Sequence, residues 1–406
     1  MLTGKLKILI ITPGLGSGGA QKVFKDQLNF YAKHYDAVGC IFNWDGALNE
    51  ERDLNLFSLD VPGGSHVISK AYFFIQRIIK LRQIKRSHKI DICISHLEGA
   101  DYVNILSRQG EKIICYIHGT KFHDKEIKGT LGWFRRALLM PILYRYASLI
   151  LVVSAGIKNE FISQLRIASN KIKVITNGFD LKRIELLSQA PISLDIENLL
   201  GQNNFICLCS RLAPQKNQEI FLFIFSELLS KVSCKLMILG DGELRNNLIE
   251  KAKTLGLKIY TSWDTQPISD KFDIYFMGNQ VNPFPYVSRS TVFALPSSWE
   301  GFPLALCEAM ACGVPVIASD CPTGPAEIVR DRERKSNYGF LLPTPIKDHD
   351  KDLQLWVDTL FMLLKNQSML KEYGVKSKTR VKDFSFEKME ESWLSVLDDL
   401  NQEVGK

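Results

Sequence analysis

No run among the 406 residues reaches the ~18 apolar positions that a spanning helix needs. Residues 1–9 carry Lys5 and Lys7 and only a short apolar run, so no cleaved leader is expected. The nine cysteines form no zinc pattern: Cys207 and Cys209 are one residue apart, and Cys307, Cys312 and Cys321 fit no ligand spacing. Cys40, Cys93, Cys115, Cys207 and Cys209 sit in apolar, strand-like runs, where a thiol behaves as a small hydrophobe. A chain this long can bury a core without disulfides, so a reducing, cytoplasmic setting is expected. Asp-x-Asp occurs only inside the polar stretch IKDHDKDLQ, at Asp348-His349-Asp350 and the overlapping Asp350-Lys351-Asp352, rather than at a strand end. No metal site is therefore expected. The net charge of +7 is modest: it suits an anionic ligand or surface, does not choose between them, and gives no reason to expect a nucleic acid.

What is present is an ordinary globular composition, 46% hydrophobic and 23% charged, with length for about two or three domains. Continuous apolar strands such as KLKILIIT (residues 5–12) recur with helical patterns between them, as in a parallel sheet covered on both faces. The expected class is α/β. The richest stretch is PSSWEGFPLALCEAMACGVPVIASD, residues 296–320. Pro303 suits a first helical position, Leu304 to Ala311 are mostly good helix formers, and Gly313 fits the residue past the helix end. Glu300 then lies in the loop at the helix mouth, and Glu308 more than a turn inside, seven residues intervening. Backbone N–H groups of Gly301, Phe302 and Leu304 at a helix N-terminus make an anion site that needs no metal. Acids flanking a bound diphosphate can accept from sugar hydroxyls, which points to a nucleotide-sugar. The competing reading is an amphipathic helix with two solvated acids.

A second cationic element lies at Arg211-Leu212-Ala213-Pro214-Gln215-Lys216-Asn217, after the apolar strand 205–210. Arg211 can grip a diphosphate bidentately and Lys216 supplies a point charge. Near the start, Gly14, Gly16 and Gly19 match G-x-G-x-x-G between a strand and a helix, and Asp45 follows the next strand as a possible ribose partner. An NAD(P)-dependent oxidoreductase is therefore an alternative. Strands at residues 91–95 and 112–117 each end in a histidine, His96 and His118, at the strand ends where α/β sheets meet ligands. The alternative for either is an ordinary hydrogen-bonded loop histidine. Residues 69–89 interleave Phe73, Phe74, Ile75, Ile78 and Ile79 with seven Lys or Arg and no acid, and Trp133 and Phe134 adjoin Arg135 and Arg136. Both stretches fit either a surface helix packed on the sheet or contact with anionic lipid.

The Glu300…Glu308 stretch, with SSWEGFPLALCEAMACGVPVIAS around it, resembles the Glu-x7-Glu motif of retaining glycosyltransferases of family 4, with the GT-B fold. Arg211-Leu212…Gln215-Lys216-Asn217, Gly240-Asp241-Gly242, the Asn177-Gly178-Phe179-Asp180 turn, the loop PGLGSGGAQKV and His118-Gly119 resemble further elements of that family. The resemblance implies two Rossmann-like, doubly wound domains facing across a cleft: residues 1–187 for the acceptor, 188–383 for the donor, and 384–406 returning as a helix to the first. Residues 188–204 read as linker. It implies transfer with retention from a nucleotide-diphosphate sugar, UDP favoured and GDP possible, to a lipid-linked or oligosaccharide acceptor in surface glycan synthesis. The sugar is a hexose or an N-acetylhexosamine. No cofactor or metal is implied. Glu300 and His118 would meet the sugar, Glu308 the ribose, Arg211 and Lys216 the diphosphate. Gly16, Gly18 and Gly19 would approach the donor, Gly278 and Asn279 the base, and the Gly301, Phe302, Pro303 and Leu304 backbone the phosphates. An inactive transferase fold acting as a lipid-surface module is a further alternative.

Overall fold

The computed structural model of the chain describes residues 5–16, 18–44, 55–122, 129–331 and 337–404. Asp45 lies outside them. The chain divides into two compact units, Met1–Asn177 with Glu390–Lys406, and Gly178–Met389.

The first unit is built on strands β1 (Lys7–Thr12), β2 (Asp36–Ile41), β3 (Leu56–Ser58), β4 (Ile92–His96), β5 (Lys112–Ile117), β6 (Leu149–Val152) and β7 (Ile172–Val174). Among the described residues they form one seven-stranded sheet in the order β3-β2-β1-β4-β5-β6-β7, every pairing parallel. The continuous apolar runs follow from this, because both faces are covered: Leu9, Ile11, Cys40 and Cys93 belong to one buried cluster under Phe73, Phe74 and Ile78. Its helices are α1 (Gly19–His34), α2 (Val67–His88), α3 (Glu98–Leu106), α4 (Gly129–Phe134), α5 (Met140–Tyr144) and α6 (Ala155–Ser163). A π-helical turn, Arg135–Leu139, joins α4 to α5. Ser154 caps α6 by accepting from the Ile157 N–H.

The second unit carries α7 (Leu181–Ser188), α8 (Leu194–Gln202), β8 (Phe205–Cys209), α9 (Gln218–Leu229), β9 (Lys235–Leu239), α10 (Arg245–Thr254), β10 (Ile259–Thr261), β11 (Ile274–Gly278) and α11 (Phe284–Ser288). It continues with β12 (Val292–Leu295), α12 (Leu304–Ala311), β13 (Val316–Ser319), α13 (Pro325–Val329), β14 (Phe340–Leu342), α14 (Asp350–Lys365), α15 (Gln367–Val381) and α16 (Phe386–Val404). Its strands make a second parallel sheet in the order β10-β11-β9-β8-β12-β13-β14.

Two features differ from the sequence reading. Residues 188–204 are not a free linker. They hold the end of α7 and all of α8, which are tied to the second unit by hydrogen bonds from Asn282 to the Leu187 carbonyl and from Ser288 to that of Ser188, and by the Arg289–Glu197 ion pair. The unit boundary accordingly falls at Asn177 and Gly178 rather than at 187 and 188. The later part of α16 groups with the first unit, where the Trp393 ring meets Tyr31 and Tyr116 edge-on at 5.4 and 5.3 Å.

Strand order locates the candidate sites. In each sheet the chain reverses direction once, between β1 and β4 and between β8 and β12. Loops leaving the carboxyl ends of those neighbours diverge and leave room for a ligand. In the first unit they are the glycine loop after β1 and the His96–Glu98 turn after β4. In the second they are the Arg211–Asn217 loop after β8 and the Pro296–Pro303 loop after β12.

Candidate active site

In the second unit the two switch-point loops are stitched together. The Gln215 amide donates to the Trp299 carbonyl at 2.7 Å, and the Ser298 N–H donates to the Gln215 carbonyl at 2.8 Å. Asn217, at φ +57, donates to the carbonyls of Pro296 and Pro345. This clasp brings Lys216 to Glu300: Nζ donates to Oε1 at 2.7 Å, with side chains 19% and 6% exposed. A carboxylate so buried needs its cation. Arg211 is exposed and its guanidinium has no partner among the described residues.

The Gly240-Asp241-Gly242 turn braces this arrangement from below. A Cβ on Gly240, which sits at φ +127, would stand 2.1 Å from the Ser210 carbonyl oxygen, and one on Gly242 would stand 2.4 Å from that of Leu212. Only glycine lets the two backbones approach so closely. Leu212 N–H donates to the Asp241 carbonyl, while Gln218 holds the Ser210 hydroxyl and the Arg211 carbonyl.

On the other side, Pro303 occupies the N-cap of α12 rather than its first helical position, at φ −68 and ψ 105. Proline there still fits, because it asks for no hydrogen-bond acceptor. No side chain caps the helix, and among the described residues nothing accepts from the N–H groups of Gly301, Phe302 or Leu304. Thr323, at φ +62, donates its hydroxyl to the Glu300 carbonyl, and a Cβ on Gly324 would meet the Gly301 oxygen at 2.7 Å. The Pro322–Gly324 turn therefore fixes the Glu300–Pro303 loop from behind. Gly313, at φ +77, ends the helix as its sequence position suggests. Glu308 is half-buried on α12. Gly278 closes β11 at φ +65, with Trp263 and Ser262 against its Cβ position, and Asn279 beyond it is exposed. Asp348-His349-Asp350 is an exposed turn entering α14.

In the first unit α1 begins at Gly19 with Gly18 as N-cap, again without a side-chain cap. Open space lies beside Gly16, so packing does not demand glycine there; close approach of a ligand would. His96, fully buried at the end of β4, lies with Nδ1 2.9 Å from Nε2 of His118. Burial holds His96 well below the ordinary histidine value, with His118 adding to it, and burial pulls His118 down to about 3, with Lys121 adding. Both rings are neutral at neutral pH. Beside them Glu98 receives Arg135 through two hydrogen bonds, Tyr102 through one, and Lys121 at 3.5 Å. Burial pushes the Glu98 carboxyl up, but Arg135 and Lys121 outweigh it and hold the group below its usual range. Asp101, accepting from Ser95 and Tyr144, is raised by burial to about 7. The Glu98–Arg135 pair is not legible in the sequence, because its partners lie on separate helices and share no spacing rule.

Two doubly wound parallel units, each with its polar groups at a switch point, define the GT-B class of transferases. The chain belongs to the glycosyltransferases: residues 17–183 match the model of Glycosyltransferase Family 4 and residues 192–376 that of Glycosyl transferases group 1. It is 26% identical over 394 residues to the N-acetylgalactosamine-N,N'-diacetylbacillosaminyl-diphospho-undecaprenol 4-alpha-N-acetylgalactosaminyltransferase of Campylobacter jejuni, covering 96% of this chain and 99% of that one. It is also 26% identical over 317 residues to the UDP-Gal:alpha-D-GlcNAc-diphosphoundecaprenol alpha-1,3-galactosyltransferase of Escherichia coli, covering 74% and 76%. Among solved structures it matches Anabaena HepE in complex with UDP-glucose, with a TM-score of 0.74, 18% identity, and coverage of 97% and 100%. The lipopolysaccharide-biosynthesis glycosyltransferase WaaG matches with a TM-score of 0.69 at 12% identity, covering 96% and 99%. This family membership sets aside the oxidoreductase reading of Gly14, Gly16 and Gly19. The chain is a glycosyltransferase, and both of these relatives are named for substrates linked to diphosphoundecaprenol.

Proposed function

We propose that the protein transfers a hexose or N-acetylhexosamine, with retention, from a UDP-sugar to a hydroxyl of a diphosphate-lipid-linked glycan, at the cytoplasmic face of a membrane. The carrying observation is the Lys216–Glu300 ion pair beside the uncapped start of α12 and the unpartnered Arg211. Lys216, Arg211 and the N–H groups of Gly301, Phe302 and Leu304 stabilise the charge that develops on the leaving diphosphate. No metal is needed for that task. Glu300 exchanges part of its hold on Lys216 for a sugar hydroxyl, Glu308 accepts from the ribose, and Gly278 with Asn279 borders the base. His118 positions the sugar, and the backbone at Gly16, Gly18 and Gly19 passes beside it. UDP complexes among similar folds and the diphosphoundecaprenol substrates named for two relatives support this choice of donor and acceptor.

A membrane contact belongs to the same reading. Ile68, Tyr72, Ile75 and Ile79 are exposed along one stripe of α2, while Leu81 and Lys85 face inward. Trp133, Phe134, Leu138 and Ile142 are exposed on the α4–α5 segment, next to Arg136. Apolar side chains ringed by cations suit an anionic bilayer carrying the acceptor lipid. No helix among the described residues is long and apolar enough to cross a membrane. A thermal-shift screen of nucleotide-sugars tests the donor, since a bound ligand raises apparent stability by mass action. A UDP-sugar should raise Tm and should not do so in Lys216→Ala. Stabilisation by NAD alone, or liposome binding without any sugar-nucleotide turnover, would overturn the reading.

A further inference from the structure

His96 and His118 end adjacent strands, with ring planes 18° apart and one hydrogen bond between His96 Nδ1 and His118 Nε2. Two neutral imidazoles joined in this way share a single proton across the contact. Either His118 donates from Nε2, leaving its Nδ1 bare and placing a proton on His96 Nε2, or His96 donates from Nδ1, leaving its Nε2 bare and placing the His118 proton on Nδ1. The outer atoms, His96 Nε2 and His118 Nδ1, are both buried and lack a partner among the described residues. Each arrangement therefore strands one N–H and one lone pair.

The two places are not equal. His96 is 0% exposed, with the rings of Phe24 and Tyr116 edge-on against it at 87° and 79°. A buried N–H without an acceptor is rarer and costlier than an under-used acceptor. His118 is half-buried as a residue; its Nδ1 is covered and unpartnered among the described residues, so a proton there is satisfied only by a ligand oxygen that comes within hydrogen-bond reach. The turn between His96 and Glu98 is itself held in an unfavourable conformation, with Leu97 at φ +70, a state that persists where surrounding structure enforces it.

We propose that His96 is a positioning residue for sugar transfer: its Nδ1–H donates to His118 Nε2, forces the His118 proton onto Nδ1, and makes the outward face of His118 a hydrogen-bond donor rather than a base. This rests on the reading above in which His118 meets the sugar. A donor at that nitrogen serves a hydroxyl or phosphate oxygen of the bound sugar-nucleotide and cannot remove the acceptor's proton. Both histidines then adopt the Nδ1–H form, against the preference of a free imidazole side chain for Nε2–H.

Nitrogen-15 histidine labelling of the full chain, with long-range proton–nitrogen correlation, reads the tautomer of each of the seven histidines. The wild-type protein should show His96 and His118 as Nδ1–H, assigned by loss of signals in His96→Asn and His118→Asn. His96→Phe should move His118 toward Nε2–H and lower kcat about tenfold, with donor KM within about twofold. His96→Asn, whose amide nitrogen replaces Nδ1, should restore the Nδ1–H form and most of the rate. A wild-type His118 found as Nε2–H overturns the proposal without any variant. So does a His118 tautomer unmoved by His96→Phe. Full turnover in His118→Ala, with the tautomers as stated, would instead overturn the role given to His118 in sugar binding.

Discussion

Replacing Lys216 by methionine removes the ammonium and keeps most of the stem. Glu300 is then left without its cation at 6% side-chain exposure. Breaking a fully buried pair costs roughly 3–5 kcal/mol, and an exposed pair is worth roughly 0.2–1. With Lys216 19% exposed, the second unit should lose about 2 kcal/mol. The double variant Lys216→Met with Glu300→Gln removes the stranded charge as well and should recover about 1 kcal/mol of that loss. Turnover should behave differently. The cation proposed to face the leaving diphosphate is absent from both proteins, so both should lose about 100-fold in kcat/KM, the scale of deleting one charge-stabilising donor. Denaturant unfolding gives the first quantity and sugar-nucleotide turnover the second. Two results would refute the reasoning: a single variant within about threefold of wild type in kcat/KM, or a double variant no more stable than the single one.

Gly240→Ala should cost at least ~2 kcal/mol and weaken donor binding, because the new Cβ at φ +127 would displace the Ser210 carbonyl and the Arg211 loop; urea unfolding and calorimetry with UDP check this. His118 stays neutral in the fold down to about pH 3, so its contribution is complete above the unfolded pKa of ~6.5 and is lost by ~1.4 kcal/mol per unit as pH falls below it. Asp101, raised to about 7, acts with the opposite sign: its contribution is complete below ~3.9 and is lost as pH rises toward 7. Unfolding midpoints between pH 4 and 6 should accordingly fall less steeply with acid in His118→Asn, and more steeply in Asp101→Asn, than in wild type. Tyr72→Glu, Ile75→Glu and Ile79→Glu together should abolish sedimentation with anionic vesicles while sparing turnover on a short-chain acceptor; unchanged sedimentation would remove α2 from the membrane contact.

Much of this was legible before folding was considered, because parallel sheets write themselves as uninterrupted apolar runs. KILIIT, KIICYI and KLMIL each became a buried strand. The helix at Leu304–Ala311 and its stop at Gly313 followed from propensity and from the need for a left-handed residue. The placement of Lys216 against Glu300 was not legible in this way. It depends on β8 and β12 being neighbours, with the two side chains 84 positions apart in the chain. The residues that make the contact possible, Gln215 and Asn217, look like ordinary loop polars. The linker reading of residues 188–204 failed because α7 and α8 are only 8 and 9 residues long, and helices so short depend on packing, here on the second unit. The histidine pair could be suspected only as two strand ends, since pairing needs the register of β4 on β5, which sets His96 opposite Tyr116.

The most direct test is the anomeric configuration of the product formed from a UDP-α-sugar and a diphosphate-lipid glycan with a chelator present. An α-linked product at an undiminished rate is the predicted result. A β-linked product, or turnover that stops when divalent cations are removed, would contradict a retaining site whose leaving group is held by Arg211, Lys216 and the start of α12.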